Sequence, residues 1–286
     1  MSTAALWQSI FNGLALGGIY ILVALGLTLV MSIMGIVQVA HGEIYMIGAY
    51  SVYYMVAVLG GNFFLALVVS TLFVGGLGVL LERLCFRPLR GQADRAFTVS
   101  IALILILQNL VLAIAGGNPR TYSSPIGGVL HLLGVAIAWK RLIIVLVGLS
   151  LLVALFLFIK LTNTGQAMLA ISQEREGAAL QGMDIDRISG VAMFMGCGLA
   201  ALAGGFIGSL FSISPTMGSF ALMKGIAVII LGGLGSIPGA VVGGVILGLV
   251  DGVLPAITTA HIAGLIGFAT IIMILIFRPQ GILGHE

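Results

Sequence analysis

Gln38, His41 and Glu43 crowd an amide, an imidazole and a carboxylate into one short run, Gln38-Val39-Ala40-His41-Gly42-Glu43, within an otherwise apolar region of about 50 residues. An imidazole and a carboxylate this close can hold a hydrogen-bonded gate. Ionisable groups in or near a bilayer face water, a partner helix or a pathway. The bland reading of the same cluster is anchoring at a cytoplasmic turn, where polar groups are simply wet. His41 and Glu43 have too few neighbours of the right kind for a metal site. Lys224 and Asp251 are single charges at the edges of short apolar segments. Their spacing predicts interfacial placement, with Lys224 snorkelling. A proton relay needs several acids facing one another near the bilayer midplane, and the sequence offers none.

Backbone can also do chemistry. Gly235-Ser236-Ile237-Pro238-Gly239 cuts an apolar stretch between Leu222 and Val253. Such a break frees polar backbone groups, which membranes tolerate only where they are buried in protein or line a wet cavity. Gly235, Ser236, Pro238 and Gly239 therefore join Gln38, His41 and Glu43 as pathway or gate candidates. Beyond the break, Gly239/Gly243 and Gly244/Gly248/Gly252 keep four-residue spacing, which predicts flat stripes for close helix approach.

The third constellation binds rather than reacts. Lys160 to Arg187 gathers Glu174, Arg175, Glu176, Asp184, Asp186 and Arg187 in a chain whose charged residues are only 7% of the total. Thr162, Asn163 and Thr164 are N-cap residues, Gln166 to Gln181 are mostly strong helix formers broken only by Gly177, and Gly182 suits a C-terminal cap. The spacing predicts a short polar helix, either a solvated connector or an element that docks into a groove on a soluble partner. No Walker phosphate loop, nucleophile elbow or zinc signature occurs. No catalytic residue, cofactor or metal is expected, and the chain does not read as an enzyme.

The elements that must position these residues follow from composition. Hydrophobic residues fill 60% of 286 positions and glycine another 42, more apolar surface than a soluble domain can cover. The fold class is all-α, a polytopic transmembrane helical bundle. A bilayer core of about 30 Å takes about 20 residues of helix. Spans are predicted at Ile10–Val30, Ile44–Leu59, Phe63–Leu81, Phe97–Ala115, Leu142–Ile159, Ile188–Phe211 and Ile262–Phe277. The broken stretch is expected to form two half-helices of about 13 residues, too short to span comfortably. That gives about eight to nine membrane segments in one domain over 1–286.

Arg83, Arg87, Arg90 and Arg95 share a loop, and span parity puts the polar loop 160–187 on the same side. The positive-inside rule makes that side cytoplasmic. The loop 116–141 and the N-terminus are then external and the C-terminus cytoplasmic. Trp139 is expected as a headgroup anchor, with His131 to Trp139 along the interface. Cys85 and Cys197 suggest neither a disulfide nor a metal site. No basic patch is interleaved with aromatics, which argues against a nucleic-acid partner. Two Gly-broken stretches, Gly35–Gly48 and Gly232–Gly248, hint at internal duplication around a transport site.

Several motifs in order resemble the membrane permease subunits of branched-chain (hydrophobic) amino acid ABC importers. They are Gly26-Leu27-Thr28-Leu29, Ala40-His41-Gly42-Glu43, Gly48-Ala49-Tyr50, Arg87-Pro88-Leu89-Arg90-Gly91, Leu231 through Ala240, and Arg278-Pro279-Gln280-Gly281. The likeness covers essentially the whole chain. Glu176, Ala178 and Gly182 resemble the loop by which such permeases engage their ATPases, with Gly177 in place of the usual first alanine. The resemblance implies an ABC-permease fold in a bacterial inner membrane. It also implies a second permease, identical or related, two cytoplasmic ATPases and an external solute-binding protein as partners. Within the loop it marks Gln166, Met168, Leu169, Ile171, Glu174, Glu176, Ala178 and Gly182 as ATPase-docking residues. Leu169 stands where relatives often carry arginine, and Gln38 where asparagine is common. Permeases for urea or short amides are similar in sequence, and an ion-coupled secondary transporter or a membrane scaffold are the readings from other classes.

Overall fold

The computed structural model describes residues 3–122, 124–125, 127–132, 135–278 and 280–283. Among them 11 α-helices and one two-stranded hairpin follow in order. α1 (Thr3–Met34) ends at Gly35, whose φ of +66° turns the chain. α2 (His41–Tyr53) continues into a π-helical turn over Tyr54–Val58. α3 (Phe63–Leu81) starts on Asn62, whose side chain accepts from the Phe64 and Leu65 amides, and ends through wider and tighter turns over Glu82–Phe86 and Arg87–Leu89. α4 (Ala93–Ala115) leads to the hairpin β1 (Val129–Leu132) and β2 (Val135–Ala138), then α5 (Trp139–Leu161). α6 (Asn163–Gln173), α7 (Arg175–Leu180), α8 (Ile185–Leu210), α9 (Met217–Gly232), α10 (Ile237–Ile257) and α11 (Ala260–Phe277) complete the chain.

The chain divides into two units. The first holds Met1–Leu25, Ser124–Ser150 and Met223–Glu286. Here the two glycine stripes of α10 take the roles their spacing predicts. A Cβ on Gly243 would stand 2.6 Å from the Val228 carbonyl oxygen of α9. A Cβ on Gly248 or Gly252 would stand 2.3 Å from Gly17 or Gly13 of α1. Only hydrogen side chains allow helices this close, and in lipid such packing replaces the missing hydrophobic drive.

The second unit holds Gly26–Ser123 and Leu151–Leu222, with α2, α3 and α8 at its centre. α2 and α8 touch backbone to backbone: a Cβ on Gly204 would lie 2.0 Å from the Tyr45 carbonyl oxygen. The irregular segment before the hairpin is tied to this unit. Arg120 and Ile213 exchange backbone hydrogen bonds, and the Tyr122 hydroxyl donates to the Gly205 carbonyl.

Six helices among the described residues are long and apolar enough to cross a membrane, lying at Ala5–Met34, Phe63–Leu89, Ala93–Ala115, Trp139–Leu161, Ile185–Leu210 and Ile237–Ile257. The chain is an all-α polytopic helical bundle. The expected count of eight to nine segments is not confirmed: beside these six, α2, α9 and α11 have 13, 16 and 18 residues. The two expected half-helices are longer than predicted, because α9 begins upstream at Met217 and α10 continues through Pro255 to Ile257. α10 has the length of a full span. The break itself falls at 233–236, as the glycines and proline require. Val129–Leu132 and Val135–Ala138 of the predicted external loop pair as antiparallel strands. Ser123, Ile126, Leu133 and Gly134 of the predicted external loop, and Pro279 of the C-terminal motif, lie outside the described residues.

Candidate functional site

The polar loop 160–187 folds from its caps inward. Gly165 lets α6 reverse against the end of α5, since a Cβ there would stand 2.3 Å from the Phe158 carbonyl oxygen. The Thr162 hydroxyl accepts from the Gly165 amide at 3.0 Å. The single helix predicted over Gln166–Gln181 is interrupted at Glu174, whose backbone is extended and whose carboxylate accepts the Glu176 amide at 3.3 Å. Ser172 helps end α6 by donating to the Leu169 carbonyl at 2.7 Å, a local bond that competes with the helical ladder. Gly182 closes α7 at φ +79°, and Asp184 caps α8 by accepting the Arg187 amide at 3.0 Å.

This geometry sorts the eight predicted docking residues by face. Met168, Ile171 and Ala178 are buried with Ile33, Ile188 and Ala192 in one cluster, flanked by Phe158. Gln166, Leu169, Glu174, Glu176 and Gly182 are exposed. The first three anchor the element and the other five face outward. The most exposed apolar side chain of the loop, Leu180 at 89%, is one the sequence reading misses. A signal for it exists, as a leucine two residues before a cap glycine in a polar run.

An ionic clamp sits beside this loop. Glu82 is fully buried and pairs with Arg87 at 3.2 Å and with Arg90. Arg87 also reaches Asp186 at 3.3 Å, and Arg90 pairs with the same carboxylate. Burial lowers the Arg90 guanidinium from its ordinary value, and Glu82 beside it opposes that shift. The end of α3 is thereby tied to the first turn of α8. Burying a carboxylate carries a desolvation cost that such partners offset.

Gln38, His41 and Glu43 are buried, at 0%, 0% and 2% exposure, so the expectation of wet groups at a turn fails. Gln38 and His41 both face α8 near Gly196 and Cys197, while Glu43 faces α9. His41 points to the crossing of α1 and α8, where a Cβ on Gly26 would stand 2.9 Å from its Nε2 and 2.5 Å from the Gly196 carbonyl oxygen. Gln38 lies against the Cys197 thiol. Glu43 faces the start of α9, with Oε1 2.8 Å from where a Gly218 Cβ would be, and its Oε2 has no hydrogen-bond partner. The Ala40 amide donates to Ser100 Oγ at 3.0 Å, which fixes the turn into α2. The N-termini of α2 and α9 meet here: a Cβ on Gly42 would stand 2.2 Å from the Gly218 carbonyl oxygen. In its charged form the Glu43 carboxylate offsets the partial positive charge of both ends.

The break at 233–236 is a capped turn. Ser236 Oγ accepts the Gly239 amide at 3.0 Å, and Pro238 lies in the first turn of α10. Gly233 and Gly235 adopt φ of +108° and +80°. Gly239 packs on Gly232 so closely that a Cβ would stand 2.2 Å from its carbonyl oxygen. The freed carbonyls of Leu231 and Gly232 accept the Ile282 and Leu283 amides, both at 2.9 Å. Lys224 corrects the sequence reading. It does not snorkel but is buried at 7%, with Nζ 2.7 Å from Asp251, which also accepts the Tyr20 hydroxyl at 2.8 Å. A paired charge has no need to reach water.

A family model described as branched-chain amino acid transport system / permease component matches residues 9–276. The permease protein LivH of the high-affinity branched-chain amino acid transport system of Escherichia coli K12 is 34% identical over 97% of this chain and 95% of its own length. LivH of Salmonella typhimurium is 33% identical over the same shares, and BraD of Pseudomonas aeruginosa is 31% identical, again over 97% and 95%. No solved structure matches the chain. With its crossing helices and this likeness from end to end, the chain belongs to the family of branched-chain amino acid transport system permease components.

Proposed function

We propose that the chain is the transmembrane permease subunit of an ATP-driven importer, forming with a second, identical or related permease the path for branched-chain or other hydrophobic amino acids. The observation that carries this reading is the two-faced loop. α6 and α7 are anchored by Met168, Ile171 and Ala178 and hold Leu180, Leu169, Glu174 and Glu176 outward. A leucine 89% exposed between acidic residues gains by entering a partner's groove. The partner is the ATPase, one for each permease, on the cytoplasmic side. ATP-driven closure of the ATPase pair pushes the loop, and the clamp of Glu82, Arg87, Arg90 and Asp186 passes that push to α3 and α8, a rigid-body rocking.

The whole chain, 1–286, works as one transmembrane domain in a bacterial inner membrane, N-terminus outside and C-terminus inside, fed by an external solute-binding protein. Gln38 and His41, which face α8, and Glu43, where α2 meets α9, form the gate candidate. Gly235, Ser236, Pro238 and Gly239 hold the turn between α9 and α10 that borders the path. An aliphatic pocket separates neighbouring side chains by only about 1–3 kcal/mol per methylene, so the binding protein carries much of the selectivity.

The test is uptake into vesicles with ATPases and ATP on the cytoplasmic face. Leu180→Glu, Glu176→Lys and Gly182→Trp are expected to insert normally, to lose the ATPase on co-purification and to stop uptake. Uptake by the permease alone, driven by an ion gradient, would establish the secondary-transporter alternative. Uptake of urea or amides in preference to leucine, isoleucine or valine would change the solute and leave the loop's role intact.

A further inference from the structure

The second unit carries two hollows that share Phe194, one with basic residues at its mouth and one almost wholly apolar. A cavity of about 500 Å³ is lined by Val79, Arg83, Arg87, Asp186, Arg187 and Phe194, among others. A second cleft of about 340 Å³ is also lined by Phe194, with Thr71, Leu155, Phe158, Gly198 and Leu202, and is almost wholly apolar. Both lie along α3 and α8, with α5 lining the apolar one. From Arg187 to Leu202 along α8 is about 22 Å at 1.5 Å per residue. A single leaflet's share of the hydrocarbon core is about 15 Å, so the two hollows together are long enough for a headgroup and one acyl chain.

The charges at the mouth are not all spent. Asp186 is held by Arg87 and Arg90, and Asp184 is turned to cap α8. Arg83 and Arg187 have no ion-pair partner among the described residues. They stand at the ends of two membrane-crossing helices, Phe63–Leu89 and Ile185–Leu210. Guanidinium groups match phosphate with several donors in a fixed fork, and basic pockets between membrane helices suit anionic headgroups.

We propose that the two hollows form a binding site for an anionic phospholipid, with the phosphate on Arg83 and Arg187 and one acyl chain along Phe194, Leu155 and Leu202. The site needs only that α3 and α8 cross the bilayer, so it stands apart from the ATPase reading. Through Arg187 the lipid contacts the first turn of α8, which the ionic clamp ties to α3. The lipid therefore stiffens the base on which the polar loop rests.

The experiment uses the full chain purified in mild detergent, with bound lipid read by native mass spectrometry and thermal stability measured on adding phosphatidylglycerol, phosphatidylcholine, inorganic phosphate or glycerol 3-phosphate. Wild type is expected to retain phosphatidylglycerol and to be stabilised by it selectively. The Arg83→Gln/Arg187→Gln pair is expected to retain at least about ten-fold less, as loss of charge-assisted phosphate contacts implies. Ala154→Trp, which fills the apolar end and leaves the arginines untouched, is expected to lose the lipid too, and Arg83→Lys/Arg187→Lys to keep part of it. Equal stabilisation by phosphatidylcholine, or unchanged retention in the Gln pair, would overturn the proposal. Equal protection by inorganic phosphate or glycerol 3-phosphate would make this a soluble-anion site and would overturn the lipid. Loss of ATPase co-purification in the Gln pair with lipid retention intact would assign these arginines to the ATPase and would overturn it as well.

Discussion

Two interruptions of apolar helix, the loop through α6 and α7 and the turn at 233–236, use the same local devices to opposite ends. Each begins on a side-chain cap, Thr162 and Glu174 in one and Ser236 in the other, and each spends a left-handed glycine, Gly182 against Gly233 and Gly235. Each shows a leucine at its tip, Leu180 at 89% and Leu234 at 67% exposure. The turn satisfies itself. Its freed carbonyls pair with Ile282 and Leu283, and Lys224 with Asp251 joins the helices on either side. The chain from Gly225 to Val250 carries no charge, so Leu234 sits in an apolar stretch. The loop anchors one face and leaves the other, and its leucine sits among carboxylates where lipid will not go. A break that closes on itself is structural, whereas a break that leaves apolar surface in a charged setting is made for a partner.

Five substitutions press on this contrast, taken from the largest effect to the smallest. Lys224→Met strands Asp251 in an apolar setting and is expected to cost about 3–5 kcal/mol, with much of it restored in Lys224→Met/Asp251→Leu; thermal unfolding in nanodiscs reads both. Gly239→Leu drives a side chain into Gly232 and is expected to destabilise by about 3 kcal/mol, in the range of severe overpacking. Whatever fraction folds is still expected to hold the ATPase. Leu180→Glu is expected to leave unfolding within about 0.5 kcal/mol, as for an exposed site, while weakening the ATPase by about 2 kcal/mol or roughly thirty-fold, as for an interface anchor. Ser236→Ala and Glu174→Ala each remove a cap worth about 1 kcal/mol. The first is expected to appear only in unfolding, the second also in ATPase affinity.

Much of this was legible in the sequence, and what was missed has a physical cause. Apolar runs and Gly/Pro punctuation located the helices and the break, because bilayer thickness and backbone satisfaction leave few alternatives. The four-residue glycine spacing of α10 announced two close helix contacts, and both exist. The loop was found from its charges, but not its faces: whether Met168 or Leu169 points inward depends on Ile33 and Ile188, far away in sequence. The pairing of Lys224 with Asp251, 27 residues on, was invisible for the same reason, since each charge alone reads as interfacial. Burial of Gln38, His41 and Glu43 came from the approach of α8 and α9, which no local pattern encodes.

The central claim is that force enters through the outward face of α7. Cross-linking from Leu180→Cys to co-expressed ATPase in native membranes measures that contact directly, with solute uptake followed in parallel. The account predicts a high cross-link yield that changes with ATP and blocks uptake once formed. Free labelling of the introduced thiol by a water-soluble maleimide whether or not the ATPase is present, with solute still crossing at the wild-type rate, would contradict it.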